Sequence, residues 1–341
     1  MKKSNFVANL SLVIISATIN FSIHAADAAI DIKKGISESY QKFKGIKEGK
    51  NADYIPDLAK VNPSLFSIAI ATVDGKIESI GDAETTFSIQ SISKPLIYGL
   101  ALKDNGEKLN IKVGLNATGQ KFNSIQALES TQNHIQNPMV NAGAIQVTSF
   151  VKGKDSNEKW QKALNFVQQL AEGKSGEKKP YFGEAVYKSE SSTNLRNKAI
   201  SDLLNAYGMM GGDPLDALDR YTKACSIMIT TKQLAMIGAT LANQGTNPIT
   251  KKNILQTEYV KDVVAEMSVN GLYETSGEWW VNVGVASKSG VGGGILAVIP
   301  NKMAIAVFSP PLDGAGNSVK AQEVIKYLSK NWKLHFLDLI K

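Results

Sequence analysis

The sequence predicts an α+β fold in which one antiparallel sheet is flanked by terminal helices and joined to a helical lobe. Strand-like segments lie near both ends of the chain, and residues 95–254 between them have a mostly helical pattern. The links within each set of strands are short, which favours antiparallel pairing, because a parallel connection needs a crossover of a dozen or more residues. Separate runs of strands and helices are typical of α+β proteins rather than doubly wound α/β proteins.

Composition and charge argue against several kinds of partner and site. The 341 residues carry 38 Lys and Arg against 31 Asp and Glu, a formal net charge of +7, and 43% are hydrophobic. Such a chain is long enough for one large domain or two closely packed lobes. Its lysines are scattered, without a basic run beyond short pairs, so no nucleic-acid partner is expected. With one cysteine, Cys225, and three histidines, neither an internal disulfide nor a multi-cysteine or multi-histidine metal site is expected.

Residues 1–25 have the pattern of a secretory signal peptide. Residues 1–3 (Met-Lys-Lys) are a positive start, residues 6–23 are mostly apolar, and small residues follow. We expect cleavage after Ala25 or Ala28, leaving residues 26–341 as one domain of two lobes without a stable membrane anchor. An uncleaved anchor is the disfavoured alternative, because Asn and Ser interrupt the apolar run. The mature protein is expected in the periplasm or outside the cell.

The mature chain begins with an expected amphipathic helix at residues 30–49, broken by residues 53–56 (Asp-Tyr-Ile-Pro). Residues 66–73 and 76–80 predict a hairpin, because the intervening Asp74-Gly75 pair supplies a positive-φ turn. Three further strands and a last helix are predicted at residues 281–287, 295–300, 303–309 and 318–336. Both sets of strands are expected to join one sheet, with the site between that sheet and the helical lobe.

The most informative local string is residues 87–95, in which Ser91 and Lys94 form a Ser-x-x-Lys pattern. If a helix begins near Ser91, the two side chains lie on one face. A buried lysine loses proton affinity and can act as a base, while a helix N-terminus favours an anionic oxygen. The pattern therefore points to an activated serine nucleophile, although by itself it also occurs by chance at solvated helix starts.

A second string, residues 286–294, places Lys288-Ser289-Gly290 at the end of a predicted strand beside a glycine cluster. Glycines let a substrate approach the backbone closely, and an exposed strand N–H can donate to a tetrahedral oxyanion. Serine acylases of the penicillin-recognising type combine these two patterns. Their Ser-Asp-Asn element is missing, since Leu203 follows Ser201-Asp202, and a substrate other than a β-lactam is therefore expected.

Several longer blocks, taken in order, resemble the serine-dependent glutaminase family. The blocks lie at residues 52–59, 90–95, 137–145, 225–227, 241–245, 288–291, 309–313 and 316–318. The resemblance implies a β-lactamase/transpeptidase-like fold and hydrolysis of the side-chain amide of L-glutamine to L-glutamate and ammonia through a serine acyl-enzyme, without a cofactor. It also implies a homodimer or homotetramer, here as an exported member of the family with residues 26–341 as the catalytic domain.

The resemblance also implies roles for individual residues. Ser91 matches the nucleophile, Lys94 matches the group that takes its proton, and Tyr273 and Tyr54 match tyrosines of the catalytic site. The backbone N–H groups of Ser91 and Val291 match an oxyanion hole. The residues matched to substrate binding are Gln90, Ser91, Asn141, Glu190, Asn197, Tyr221, Tyr273 and Val291. Of these, the glutamine backbone is matched to Gln90, Asn141, Glu190, Asn197 and Tyr221. This set is chemically suitable, because a carboxylate pairs with an α-ammonium while amide N–H and tyrosine O–H groups bind an α-carboxylate.

Two other functions stay open on the sequence: a penicillin-recognising acylase, and an exported amino-acid-binding protein without turnover. Covalent labelling of Ser91 by a fluorescent penicillin would support the first, and the missing Ser-Asp-Asn element disfavours it. Tight glutamine binding without product would support the second. The Ser91 and Lys94 pair disfavours that reading, because a binding pocket needs no activated nucleophile.

Overall fold

The computed structural model describes residues 30–340, and the predicted signal peptide lies outside them. The strands are β1 (Ser67–Thr72), β2 (Ile77–Gly81), β3 (Phe87–Ser88), β4 (Tyr181–Phe182), β5 (Ile227–Ile229), β6 (Ala286–Gly290), β7 (Gly294–Ile299) and β8 (Met303–Phe308). The helices are α1 (Ile32–Phe43), α2 (Pro56–Ala59), α3 (Ser93–Asn105), α4 (Leu109–Lys112), α5 (Ile125–Ser130), α6 (Asn141–Ser149), α7 (Ser156–Leu170), α8 (Glu184–Ser191), α9 (Leu195–Ala206), α10 (Pro214–Cys225), α11 (Thr231–Ala242), α12 (Thr257–Asn270), α13 (Ser276–Asn282), α14 (Val319–Trp332) and α15 (Phe336–Leu339).

The main sheet joins the early and the late strands, as predicted. Its order is β2-β1-β8-β7-β6, and every neighbouring pair is antiparallel. The β1–β2 turn contains Gly75 at a φ of 90°, the conformation for which glycine is preferred. Terminal helices α1 and α14 pack together and against the sheet, and α11 packs against β1, β7 and β8. Strands β7 and β8 are buried along their whole length, which is why they are almost continuously apolar.

Two short strands of the helical middle, β4 and β5, form a second sheet with β3, and this sheet was not predicted from the sequence. Strands β3, β5 and β4 form it in that order, with antiparallel pairs. Each of these strands is two or three residues long. Such segments are too short to show the alternation that marks a strand in a sequence.

Several predicted boundaries were wrong; among them, the last helix, expected at residues 318–336, ends at Trp332. The helix expected at residues 30–49 ends at Phe43, and the chain then turns so that Lys50 forms a backbone bridge with Leu312. The strand expected from residue 281 begins only at Ala286, because α13 continues to Asn282. Among residues 30–340, no helix is both long and apolar enough to cross a bilayer.

Candidate active site

Ser91 lies in a 3₁₀ turn, Gln90–Ile92, that leads directly into α3. The predicted helix start near Ser91 is therefore correct in place, but the α-helix itself begins at Ser93. Gln90 has a φ of 49°, a left-handed conformation that is unfavourable for a residue with a side chain and persists only where the surroundings hold it. Ser91 is 6% exposed, so the turn presents this hydroxyl inside the protein.

The glycines of the β6–β7 turn bring the second motif against the Ser91 turn. A Cβ atom at Gly290 would lie 2.7 Å from the carbonyl oxygen of Ile89, and one at Gly292 would lie 2.3 Å from that of Ser88. Neither position has room for a larger residue without a backbone shift. The sequence predicted close approach of a substrate to these glycines; in the structure, it is another part of the chain that approaches them.

Lys94 lies in the first turn of α3 and is 2% exposed. Its Nζ donates to Oδ1 of Asn141 at 2.6 Å and to the carbonyl oxygen of Met139 at 3.3 Å. Burial lowers the pKa of Lys94 to about 8, against the opposing effect of nearby Cys225 and Glu190. No hydrogen bond between atoms of residues 30–340 joins Ser91 Oγ to Lys94 Nζ, so the lysine is held from the α6 side of the site.

Tyr273 begins the 3₁₀ turn Tyr273–Thr275 and has a φ of 56°. Its hydroxyl donates to the carbonyl oxygen of Ser289 at 3.3 Å. Burial raises the pKa of Tyr273, while the nearby oxygens of Ser91 and Ser289 act in the opposite direction. The phenol therefore lies between the Ser91 hydroxyl and the backbone of β6.

The two predicted oxyanion-hole donors are available. The backbone N–H groups of Ser91 and Val291 donate to no acceptor within the described part of the chain. Both lie where a regular element ends: Val291 follows β6, and Ser91 precedes α3. Unpaired N–H groups beside a serine hydroxyl are suited to a negatively charged oxygen.

Two hydrogen-bonded pairs connect the predicted binding residues. Gln90 Nε2 donates to Oε2 of Glu190 at 3.1 Å, and Asn141 Nδ2 donates to Oδ1 of Asn197 at 2.8 Å. Burial raises the pKa of Glu190 to about 7, although the Gln90 amide and the charge of Lys94 favour the carboxylate. The site thus contains a buried carboxylate beside neutral amides, which suits a zwitterionic amino acid.

One cavity of about 100 Å³ brings most of the predicted residues together. The predicted residues on its wall are Tyr54, Gln90, Ser91, Asn141, Glu190, Asn197, Tyr221 and Val291. Lys94 and Tyr273 lie next to it, bonded to Asn141 and placed beside Ser91, respectively. Tyr221 is buried in α10, whereas Tyr54 is 53% exposed and also lines the larger cleft of about 1030 Å³ outside.

Seven further residues line the small cavity and were not predicted. They are Ile55, Phe122, Asn123, Thr193, Asn194, Arg196 and Cys225. Cys225 follows Tyr221 by four residues on α10, so helical spacing could have indicated it. Phe122 had no comparable signal, because it lies in a loop and reaches the site by packing on the Tyr273 ring, with ring centres 4.7 Å apart.

The chemistry open to this cavity is acyl transfer. A buried serine, a lysine of lowered pKa and unpaired N–H groups are the parts needed to form and stabilise an acyl-enzyme. Within residues 30–340, no group of three or more His, Cys, Asp or Glu side chains is placed to hold a metal ion.

Comparison with known proteins points to one family. A family model described as glutaminase matches residues 49–337. A glutaminase of Trichormus variabilis is 44% identical over 313 residues, 90% of each chain. Glutaminase 1 of Escherichia coli O6:H1 is 45% identical over 300 residues, 88% of this chain and 95% of that protein.

Solved structures agree with the sequence relatives. The probable glutaminase ybaS has a TM-score of 0.85 at 43% identity, covering 89% of this chain and 97% of the other. A probable glutaminase from Bacillus subtilis, complexed with 6-diazo-5-oxo-L-norleucine, has a TM-score of 0.77 at 29% identity and covers 89% and 95%. The residues matched by the family model, 49–337, include both the main sheet and the helices that form the cavity.

Proposed function

The chain belongs to the glutaminase family, and we propose that it acts through a glutamyl ester on Ser91. It is a hydrolase that converts L-glutamine to L-glutamate and ammonia, and it has the predicted β-lactamase/transpeptidase-like fold. The observation that carries the proposed mechanism is the position of Ser91 on the cavity wall beside two unpaired N–H groups. Neither a penicillin acylase nor a protein without turnover fits these relatives.

In the acylation step, Ser91 Oγ forms a bond to the side-chain amide carbon of glutamine. The Ser91 proton passes to the neutral amine of Lys94, and the carbonyl oxygen becomes an oxyanion bound by the N–H groups of Ser91 and Val291. The proton is then delivered to the amide nitrogen with help from the Tyr273 hydroxyl. The C–N bond breaks, ammonia leaves, and the glutamyl group remains esterified to Ser91.

Deacylation uses the same groups in the reverse order. A water molecule attacks the ester carbon, its proton passes to Lys94, and the same N–H groups bind the second oxyanion. The C–O bond to Ser91 breaks and Ser91 Oγ takes up a proton. L-Glutamate leaves, and the enzyme returns to its initial protonation state. The lowered pKa of Lys94, about 8, supports this cycle because part of the lysine is neutral near neutral pH.

Recognition of glutamine is assigned to the residues that line the cavity. We infer that Glu190, held by Gln90, pairs with the α-ammonium group. Asn141, Asn197 and Tyr221 then supply donors for the α-carboxylate. Tyr54, half-exposed between the cavity and the outer cleft, covers the bound amino acid. A different ligand that leaves one of these buried groups unpaired binds to the cavity with lower affinity.

The test is ammonia release from L-glutamine by the purified mature chain, by its Ser91→Ala variant and by a Ser93→Ala control, with L-asparagine as the comparison substrate. Ser93 is also buried, so this control reports the effect of losing a nearby hydroxyl. We expect activity in the control and none in Ser91→Ala. Full activity of Ser91→Ala would refute the proposed nucleophile.

Covalent trapping gives a second readout. The ligand of the Bacillus subtilis structure, 6-diazo-5-oxo-L-norleucine, has a ketone where glutamine has its amide carbonyl. Incubation with this compound, followed by intact-protein mass spectrometry, is expected to give a stoichiometric adduct on the wild-type chain. Peptide mapping should place the adduct on Ser91, and Ser91→Ala should remain unlabelled.

We further propose that residues 1–25 direct export to the periplasm or the medium, and that the mature enzyme has no membrane anchor. The basic start, the apolar run and the small residues around Ala25 and Ala28 support this assignment. N-terminal sequencing of the protein from separated cell fractions tests it. A cytoplasmic protein that keeps Met1 would contradict it.

Assembly into a homodimer or homotetramer is also proposed. Leu195 and Val281 are 78% and 75% exposed, and burial of such side chains between subunits would remove apolar surface from water. Light scattering of the purified enzyme measures the assembly. A monomer at the concentrations used for activity would contradict the proposal.

A further inference from the structure

Lys288 has no task in the mechanism above, although its side chain is fully buried next to the site. A buried amine is unfavourable unless polar partners surround it. Its Nζ donates to the carbonyl oxygen of Gly271 at 2.9 Å and to that of Ser289 at 2.8 Å. It also lies 4.1 Å from the centre of the Tyr273 ring, over its face, where the ring attracts a cation.

All three contacts involve Tyr273 itself or groups that hold it. The Ser289 oxygen that accepts from Lys288 also accepts from the Tyr273 hydroxyl. Gly271 lies two residues before Tyr273 and starts the turn that carries it. Lys288 therefore contacts the ring face, the acceptor of the phenol and the backbone that leads into the ring.

Tyr273 needs such support because of its backbone conformation. Its φ of 56° is unfavourable for a residue with a bulky side chain, and strained conformations of this kind depend on the surrounding structure. Gly271 is fitted closely to β6: a Cβ atom there would lie 1.7 Å from the carbonyl oxygen of Ser287. Ser289 N also donates to Gly271 O at 3.2 Å, so the turn and the strand are joined at several points.

We propose that Lys288 is a positioning residue that holds the Tyr273 hydroxyl beside Ser91. The inference rests on the proposed role of Tyr273 in proton transfer and extends it to the group that supports the ring. Burial and the neighbouring Lys94 lower the pKa of Lys288 well below its ordinary value. The support does not depend on charge alone, because a neutral amine still donates two hydrogen bonds to the two carbonyl oxygens.

The first test compares Lys288→Met with the wild-type chain in steady-state glutamine hydrolysis. Misplacing a proton-transfer group lowers the rate of the chemical step, so we expect kcat to fall by about 10- to 100-fold. KM should change by less than about threefold, because Lys288 does not line the cavity. A variant that raises only KM would overturn the inference, since it would assign Lys288 to substrate binding.

Lys320→Met is the matched control. Lys320 is another buried lysine, with its Nζ 5.3 Å from the centre of the Phe66 ring, and it does not line the small cavity. Its loss is expected to lower the melting temperature without lowering kcat in the folded fraction. An equal loss of kcat in the two variants would reduce the Lys288 effect to general destabilisation and overturn the inference.

A double-mutant cycle with Tyr273→Phe distinguishes an effect of Lys288 on the position of Tyr273 from an effect on activity that does not involve Tyr273. If Lys288 acts through the Tyr273 hydroxyl, Lys288→Met should add less than about threefold to the kcat loss of Tyr273→Phe. If the kcat loss of the double variant equals the product of the two single-variant losses, Lys288 does not act through the Tyr273 hydroxyl. Should Lys288→Met not fold, Lys288→Gln enters the cycle, because it keeps an amide donor for the carbonyl oxygens and is expected to lose less kcat.

The same set of variants distinguishes failure of the positioning role of Lys288 from failure of the proposed function. Full kcat in both Lys288 variants, with Ser91→Ala inactive, would overturn only the positioning role. An active Ser91→Ala enzyme would instead remove the mechanism on which the inference rests.

Discussion

Lys94 Nζ and Asn141 Oδ1 are 2.6 Å apart, in a hydrogen bond that joins the start of α3 to the start of α6. The same asparagine donates through Nδ2 to Asn197 on α9. The lysine proposed to take the Ser91 proton is therefore connected to two side chains proposed to bind the substrate. We therefore expect substrate binding and proton transfer to be coupled through the Asn141 amide.

Replacing this amide by a carboxylate should shift the pH dependence of activity. In Asn141→Asp a negative charge contacts Lys94 and favours its ammonium form, so the lysine pKa rises above its value of about 8. Because Lys94 is proposed to act as a neutral base, the rise of kcat/KM with pH should move upward by about one unit or more. The matched variant Asn197→Asp places the charge farther from Lys94 and should give a smaller shift. Coincident profiles for wild type and Asn141→Asp would argue against Lys94 as the base.

Protonation of Glu190 is expected to make KM depend on pH. Its pKa is raised to about 7 by burial, so the carboxylate proposed to pair with the ammonium of glutamine is protonated below that pH. KM should therefore increase as the pH falls below 7, by up to about tenfold per pH unit. Glu190→Gln should raise KM by about 10- to 100-fold and remove this dependence. Glu184→Gln on the same helix is the control, because Glu184 is exposed; a pH-independent wild-type KM would contradict the assignment.

The close approach of the Gly292 backbone to the Ser88 carbonyl oxygen should be essential for catalysis. In Gly292→Ala the new Cβ lies 2.3 Å from the Ser88 carbonyl oxygen, which pushes the β6–β7 turn away and moves the Val291 N–H group. Loss of one oxyanion donor costs about 100- to 1000-fold in kcat, and we expect a loss of that size. Gly314→Ala, at a position in the outer cleft where a Cβ meets nothing within 4 Å, should keep wild-type kcat. Equal activities of the two variants would show that the turn is not needed in this position.

Glu266 should make the folded protein less stable at alkaline pH. It is 5% exposed on α12, accepts from Asn270 at 2.8 Å and has a pKa raised to about 8, mainly by burial and also by Asp262. The folded state therefore binds a proton more tightly than the unfolded chain, whose carboxyl has a pKa near 4.5. Between these values the free energy of unfolding decreases as the pH rises.

Glu266→Gln keeps the acceptor for Asn270 but has no charge. We expect urea unfolding to give nearly the same stability as wild type at pH 5 and a higher stability than wild type at pH 9. Glu258→Gln, at an exposed position on the same helix, should follow the wild type at both pH values. A wild-type stability that is equal at pH 5 and pH 9 would contradict the raised pKa.

Much of the fold follows from local patterns. The Asp74-Gly75 turn and the short links within each set of strands predicted the antiparallel sheet, and the strands pair as expected. The short strands of the second sheet and the end of α13 could not be predicted in this way. Their conformation is decided by neighbours that are distant in sequence, and local propensity is a weak guide there.

The sequence by itself determined the candidate reactive groups: Ser91 and Lys94 are three residues apart, and Lys288, Ser289 and Gly290 are consecutive, so short-range spacing is enough to recognise them. Only the tertiary structure decided what surrounds these groups. Asn141, Glu190, Asn197 and Tyr221 start from four different helices and meet in one cavity, and Lys94 bonds to Asn141 rather than to Ser91. The physical reason is that distances between separate elements depend on how their buried faces pack, and spacing within one element does not contain that information.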